Sequence, residues 1–424
     1  MAGRPRAILV VSGSELVRGD RRDANGPFVA AQLVRLGIDP ARIVIVGDRP
    51  EELRAAIADG LAADLLVCSG GLGPTHDDRT IELLAEAAGR GLRVDEGLEA
   101  RIEAVSRAAA ERLGRPYHDF AAGVRKQATL PDGADEIGLA GTAPGVLLPH
   151  GDRVAIALPG PPHELQRLWP GAVAHPAFQR LLERVRPRRH RVLRFFGPSE
   201  SSVARAIDAT GGEGGGVEVT VCARALEIHV DLYVEADGEP RALELERALL
   251  DEFGPQLFAE DERPLEELVL ALCRAQGLTV ATAESCTGGL VGGRLTEAAG
   301  SSDVFLGGVV AYANAVKEAR LGVPAALLAA HGAVSAEVAA AMACGARAAI
   351  GADVGLAVTG VAGPGGGSDE KPVGLVFVHV ETPTASVGRR LQLPGDRGAI
   401  RERAIVTVLH LLRDTLSRSR HGPV

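Results

Sequence analysis

Short apolar runs that end in glycine- or hydroxyl-rich turns, each followed by a stretch of helical spacing, recur toward both ends of this 424-residue chain. Residues 7–12 (AILVVS), 42–47 and 64–68 read as buried strands, and 28–36, 50–62 and 78–88 read as the helices between them. Strands alternating with helices dictate an α/β fold whose parallel sheet is covered on both faces. Such sheets bind ligands beyond the carboxyl ends of their strands. That constraint places GSEL (13–16), Asp48 and SGGLGPTHDD (69–78) on one rim, joined by PGPPHEL (159–165) after the strand VAIAL (154–158).

From about residue 176 the periodicity changes. A basic run, RVRPRRHR (184–191), reads as solvated surface, and a small α+β unit follows with GPSESS (197–202), TGGEGGG (210–216) and paired strands across 218–235. The α/β alternation resumes near residue 263. Strands are expected at 279–284, 307–313, 356–359 and 375–380, with helices at 265–275, 288–298, 335–349 (capped by Ser335) and 399–416. Three domains are therefore expected: a doubly wound domain at 1–172, a small linking α+β domain at 173–260 and a second α/β domain at 261–418.

Composition removes several functions. A net charge of −9 and 3% aromatic residues argue against a nucleic-acid partner. The five cysteines (Cys68, Cys222, Cys273, Cys286 and Cys344) form no C-x-x-C pair, so neither a disulfide framework nor a zinc site is indicated. No run approaches the ~18 apolar residues of a membrane span. The reading is a soluble cytoplasmic protein without a membrane partner. Lys126, Lys317 and Lys371 are the only lysines beside 43 arginines, so a lysine here can mark a place where an ammonium must lose its proton.

Candidate chemistry falls at strand ends. In ATAESCTGGLVGGRL (281–295), Ser285 and Cys286 sit where a strand turns into a helix, and the amides of Thr287, Gly288 and Gly289 can hold an oxyanion. Cys286 is the rival nucleophile, although consecutive side chains at a strand end point in different directions. Tyr312 and Lys317 in VVAYANAVK (309–317) offer a hydroxyl and a base. The glycines of VAGPGGGSDEKPVG (361–374), or Arg397, would hold a phosphate, and a surface loop and a surface arginine are the competing assignments. Asp77 and Asp78, with Glu15 and Asp48, offer oxygen ligands to a divalent metal, and capping of the next helix is the alternative for the aspartates.

These motifs resemble the CinA family (competence/damage-inducible protein A) over essentially the whole chain. The resemblance rests on GSEL, DAN (23–25), VGD (46–48), SGGLGPTHDD, KQATLPDGA (126–134), GTAPG (141–145) and ALPGPPHEL (157–165). It continues through AESCTGG, GSSDVFLGGVVAYANAVK (300–317), HGAVS (331–335), AVTGVAGPGGGSDEKPVG (357–374) and GDR (395–397). Ser14, Val17 and Ala24 depart from the usual pattern. The resemblance implies a molybdopterin-binding-like N-terminal domain, a linking domain and a nicotinamide-nucleotide amidase domain. The amidase converts nicotinamide mononucleotide to nicotinate mononucleotide and ammonia without a cofactor. Ser285, Lys317 and Tyr312 fall on its catalytic positions, and Thr287, Gly288, Gly289, Asn314, Gly363, Gly365 and Arg397 would line the substrate. In the N-terminal domain Glu15, Asn25, Asp48, Gly70, Gly71 and Gly73 would form a ligand rim. There, Asp77 and Asp78 would hold Mg, Mn or Co for an ADP-ribose pyrophosphatase. A homodimer is expected. The rival reading makes the N-terminal domain a non-catalytic pterin- or nucleotide-binding module in a competence or DNA-damage accessory factor.

Overall fold

Valine and leucine on successive positions, rather than alternate ones, make the first sheet. Strands Asp39–Val46, Arg6–Ser12, Leu65–Ser69 and Arg153–Leu158 lie in that order and run parallel. Ile8, Val10, Leu66 and Cys68 pack on one face against Leu53, Ile57, Leu83 and Leu84 of helices Pro50–Gly60 and Thr80–Ala87. Ala7, Leu9, Leu65 and Val67 pack on the other against Val29, Leu33, Leu165 and Trp169 of helices Asn25–Arg35 and Pro162–Ala174. Both faces are covered over Arg6–Ser12 and Leu65–Ser69, which is why these show no polar alternation, whereas the edge strand Asp39–Val46 leaves Ile43 and Ile45 exposed.

The sheet is not wholly parallel, however. Pro144–His150 and Asp135–Leu139 complete it in antiparallel sense, because a tight turn between His150 and Arg153 folds one strand back on the next. Residue 172 falls inside helix Pro162–Ala174, and Phe178 and Leu181 of helix Pro176–Leu182 continue the same core. The first compact unit accordingly reaches Arg188 rather than ending at 172. The computed structural model describes residues 4–418, and among these no helix is long and apolar enough to cross a membrane.

The second unit starts at Arg189 and holds two sheets. Strands Val217–Arg224, Glu227–Val234, Arg189–Phe196 and Leu257–Ala259 form an antiparallel sheet. Helices Glu200–Ala209 and Glu239–Phe253 pack on it through Val203, Ile207, Leu245 and Leu249. The basic run is ion-paired rather than merely solvated: Arg184 binds Asp64, and Arg191 binds both Glu239 and Glu246. The five-stranded sheet follows the order Phe305–Val310, Val280–Glu284, Val354–Gly360, Leu375–Glu381, Ser386–Gln392. Its first three strands are parallel and its last two antiparallel. Helices Leu265–Gln276 and Arg397–Arg418 cover one face, and Ala336–Ile350 covers the other.

One buried junction ties the final helix to the four-stranded sheet. His410 has no exposed surface, stacks on Phe196 with ring centroids 3.8 Å apart, and donates from Nε2 to Glu227 Oε1 at 2.7 Å. Burial alone would raise the Glu227 carboxyl, but hydrogen bonds from His229 and His410 outweigh it and lower the pKa to about 2. A carboxyl depressed from 4.5 stabilises the fold above pH 4.5 and loses that contribution as pH falls toward 2. Glu227→Gln is expected to cost about 1–3 kcal/mol at pH 7, read from urea unfolding, with the difference shrinking below pH 4.5. Equal urea midpoints at pH 7 would show that the junction contributes nothing.

Candidate active site

Strand Val280–Glu284 is paired on both sides, so the turn that leaves it is held firmly. The Ser285 amide donates to Val358 O at 2.9 Å, and the Ala311 amide donates to Glu284 O at 2.8 Å. The buried Glu284 carboxylate then reaches forward to the start of helix Leu290–Glu297. Oε2 accepts from the amides of Gly289 (2.9 Å) and Val291 (3.0 Å), and Oε1 accepts from Gly292 (2.9 Å). Three donors and the positive end of the helix satisfy this anion without a cation. Gly288 at φ +62° and Gly289 at φ +96° give the turn a shape that favours glycine.

This capping revises the expected oxyanion donors. Gly289 is engaged by Glu284, and the Gly288 amide donates to Ser285 O at 3.1 Å. Among the described residues the amides of Cys286 and Thr287 have no partner, so the available donors immediately follow Ser285.

Lys317 lies on helix Asn314–Leu321 and is 1% exposed. Its Nζ is 3.2 Å from Ser285 Oγ, 2.7 Å from Ala311 O and 3.5 Å from Tyr312 O. No carboxylate forms an ion pair with it among the described residues. Burial without a counter-charge pushes its pKa below the ordinary 10.5. These three oxygens suit a neutral amine, which can donate to the two carbonyls and accept from the serine hydroxyl. Cys286 faces the apolar core, and burial pushes its thiol up to about 11. The thiolate needed for attack is therefore scarce at neutral pH.

Tyr312, Gly363 and Arg397 form a second group. Arg397 donates from Nη1 to Gly363 O at 2.9 Å and from Nη2 to the Tyr312 hydroxyl at 3.1 Å. Tyr312 is 63% exposed, and its phenol bonds Arg397 rather than Ser285 or Lys317, which touches only its backbone carbonyl. Asn314 opens the lysine helix on the surface, and Gly365 lies in an exposed stretch with open space about it. Sequence reasoning missed Glu284 and Arg401. Arg401, one turn beyond Arg397, donates from Nη2 to Thr287 O at 2.7 Å. Its four-residue spacing from Arg397 on a helix was the available signal.

The N-terminal rim divides into two hollows. Glu15 and Asn25 line one together with Arg21 and Arg22, whereas Gly71, Gly73, Asp78 and Lys126 line the other. Asn25 Nδ2 ties strand ends together through Ser69 Oγ (2.8 Å) and Gly160 O (2.7 Å). Asp48 Oδ2 accepts from the Ser14 amide (3.0 Å) and hydroxyl (2.6 Å). Gly70 lies against Ser12, and a side chain there would meet its carbonyl. The Thr75 hydroxyl lies within reach of both Asp77 and Asp78 and can donate to one at a time, the Thr75 amide donates to Asp78 Oδ2 at 3.0 Å, and Lys126 donates to Thr75 O. The hydrogen bond from Thr75 lowers the Asp77 pKa. Helix Thr80–Ala87 has no side-chain cap, so the aspartates do not cap it either. Among the described residues no three His, Cys, Asp or Glu side chains converge as a metal site. The structure thus sets Glu15 on one hollow and Asp78 on the other, and leaves Asp77 and Asp78 as a pair of carboxylates near Lys126 rather than part of a four-carboxylate cluster.

Comparison with known proteins agrees with this division. Residues 262–416 match the family model described as CinA C-terminal domain, and residues 7–179 match that of a probable molybdopterin binding domain. A CinA-like protein from Mycolicibacterium paratuberculosis is 43% identical over 431 residues, covering 97% of this chain and 98% of its own. One from Mycobacterium tuberculosis is 42% identical, covering 98% and 99%. The crystal structure of competence/damage inducible protein CihA from Agrobacterium tumefaciens is 41% identical, covers 38% of this chain and 99% of its own, and has a TM-score of 0.35. With near-complete coverage by its CinA-like relatives, the chain belongs to the CinA family.

Proposed function

We propose that the second unit hydrolyses a carboxamide through Ser285 and Lys317, and that its substrate is nicotinamide mononucleotide. One observation carries the reading: a buried lysine without a carboxylate partner, 3.2 Å from a serine hydroxyl at a strand-to-helix turn. Neutral Lys317 takes the Ser285 proton as Oγ attacks the amide carbon, and the Cys286 and Thr287 amides receive the oxyanion. Collapse breaks the carbon–nitrogen bond while the Lys317 ammonium returns its proton to the leaving ammonia. Water then attacks the acyl-serine with Lys317 again as base, releasing the carboxylic acid and restoring Ser285. Arg397, exposed and paired only with neutral oxygens, is available to the nucleotide phosphate. For the first unit we infer a nucleotide- or pterin-binding module, since its aspartates are engaged with Thr75. ADP-ribose turnover by the whole protein would overturn that inference.

Ammonia release from nicotinamide mononucleotide by the full chain tests the main reading directly. Ser285→Ala should abolish nearly all turnover, and Cys286→Ala should retain most of it. Inactivation by a thiol reagent that substrate prevents would move the role to Cys286.

Lys317→Arg should lower kcat by about 10²–10⁴-fold, because a guanidinium keeps its proton. The wild-type rate should climb with pH along a limb set by Lys317, below the ordinary lysine range. Retention of more than about a tenth of wild-type kcat would exclude a lysine base.

The same burial has a stability signature. A lysine depressed from 10.5 makes the folded protein bind fewer protons than the unfolded chain between the lowered value and 10.5, so stability rises with pH there. Lys317→Met should therefore melt higher than wild type at neutral pH, with the gap closing toward pH 10.5. A lower melting temperature would mean that the amine stabilises the fold.

A further inference from the structure

We propose that Arg401 is a positioning residue for hydrolysis at Ser285, acting through the Thr287 carbonyl to keep the Cys286 and Thr287 amides directed at the reacting carbon. The inference rests on the serine–lysine reading above. Arg401 lies on the final helix and donates from Nη2 to Thr287 O at 2.7 Å. The other half of that peptide, the Gly288 amide, donates to Ser285 O at 3.1 Å. The peptide is therefore held at both ends. Glu284 fixes the amides of Gly289, Val291 and Gly292 beyond it.

Among the described residues only the Leu290 amide also reaches Thr287 O, at 3.4 Å, so Arg401 is the main restraint on that carbonyl. Rotation of the peptide would swing the carbonyl oxygen and carry the preceding amides with it. A side chain on Gly288 would stand 3.4 Å from Arg401 Nη2, so the guanidinium also lies closely against the turn.

Charge supports the same role. Arg401 forms no ion pair among the described residues, whereas Arg294 binds the neighbouring Glu402 at 2.5 Å. Its Nε is buried without a partner. An uncompensated guanidinium beside the turn favours negative charge developing there. Thr287 is fully buried, so its side chain is closed to solvent and its part in the turn runs through its backbone.

Arg401→Met and Arg401→Lys in the full chain test the assignment by two readouts. One is kcat and KM on nicotinamide mononucleotide, and the other is the rate at which a fluorophosphonate labels Ser285, which requires no amide substrate. Arg401→Met should lower both kcat and labelling by about 10–100-fold, less than loss of an oxyanion donor itself. KM should stay within about threefold, and the Lys317 limb of the pH profile should not move. Arg401→Lys, which keeps a charged donor, should recover most of the loss. If Arg401→Met melts below the assay temperature, Arg401→Gln replaces it with the same expectation. A raised KM at unchanged kcat, labelling at the wild-type rate, or a Lys variant as poor as Met would overturn the proposal. Wild-type labelling without ammonia release would instead reject the substrate reading, leaving the labelling rates to decide the role of Arg401.

Discussion

A buried amine with no counter-charge sets the terms for the second unit. Taking an ammonium out of water is costly unless it is paired, and the usual outcome is loss of the proton. Lys317 meets carbonyls from Ala311 and Tyr312 at the end of strand Phe305–Val310, and these suit an amine that donates two hydrogens. The Ala311 amide is in turn bonded to the Glu284 carbonyl, so the lysine pocket and the serine turn share one register. A one-residue slip of that edge strand would remove both partners together. Glu284 solves the opposite problem within the same few residues. Its carboxylate is equally buried, and three amides and a helix N-terminus face it.

The helix Arg397–Arg418 joins this chemistry to the rest of the unit. Its first turns carry Arg397 and Arg401 to the Tyr312, Gly363 and Thr287 oxygens. Nine residues beyond Arg401, about 13 Å along the axis, His410 is locked to Glu227 and Phe196 of the four-stranded sheet. Between them Ile405, Val408 and Leu409 are buried in the larger core. A rigid element fixed at its far end positions side chains at its near end more closely than a loop could. The small sheet therefore serves the site as an anchorage for the helix that frames it.

How much of this was legible in the sequence follows from burial. Leu65–Ser69 (LLVCS) is buried along its whole length and its apolar run signals that directly, whereas Val280–Glu284 (VATAE) is as buried despite Thr282 and Glu284. Ser386–Gln392 is almost entirely exposed and carries Gly388, Arg389 and Arg390, so it lacks the pattern of a strand and exists because Leu375–Glu381 offers it an edge. Ser285 and Lys317 were legible from residue type at strand ends. The oxyanion donors were not, because Glu284 engages amides up to eight residues ahead, and such a side-chain reach leaves no periodicity. Asp77 and Asp78 show a related limit: their adjacency is plain in the sequence, whereas the contact both make with the Thr75 hydroxyl is not.

The two α/β sheets also show why topology alone does not assign chemistry. Both put polar residues beyond the carboxyl ends of parallel strands, where ligands of such sheets bind. In the first unit some rim carboxylates have local partners, Asp48 with Ser14 and Asp77 and Asp78 with Thr75, whereas Glu15, Arg21 and Arg22 line a hollow without ion pairs among the described residues. In the second unit, among the described residues, Lys317 lacks a carboxylate, Arg397 and Arg401 are bonded only to neutral oxygens, and Glu284 is engaged by amides. A site whose groups are already satisfied gains little when a ligand arrives, since each new contact replaces an existing one. Where partners are withheld, substrate or transition state supplies the missing charge, and that interaction is available to lower a barrier. The buried lysine beside a serine hydroxyl, more than the shared strand order, is what favours the serine turn in the reading proposed above.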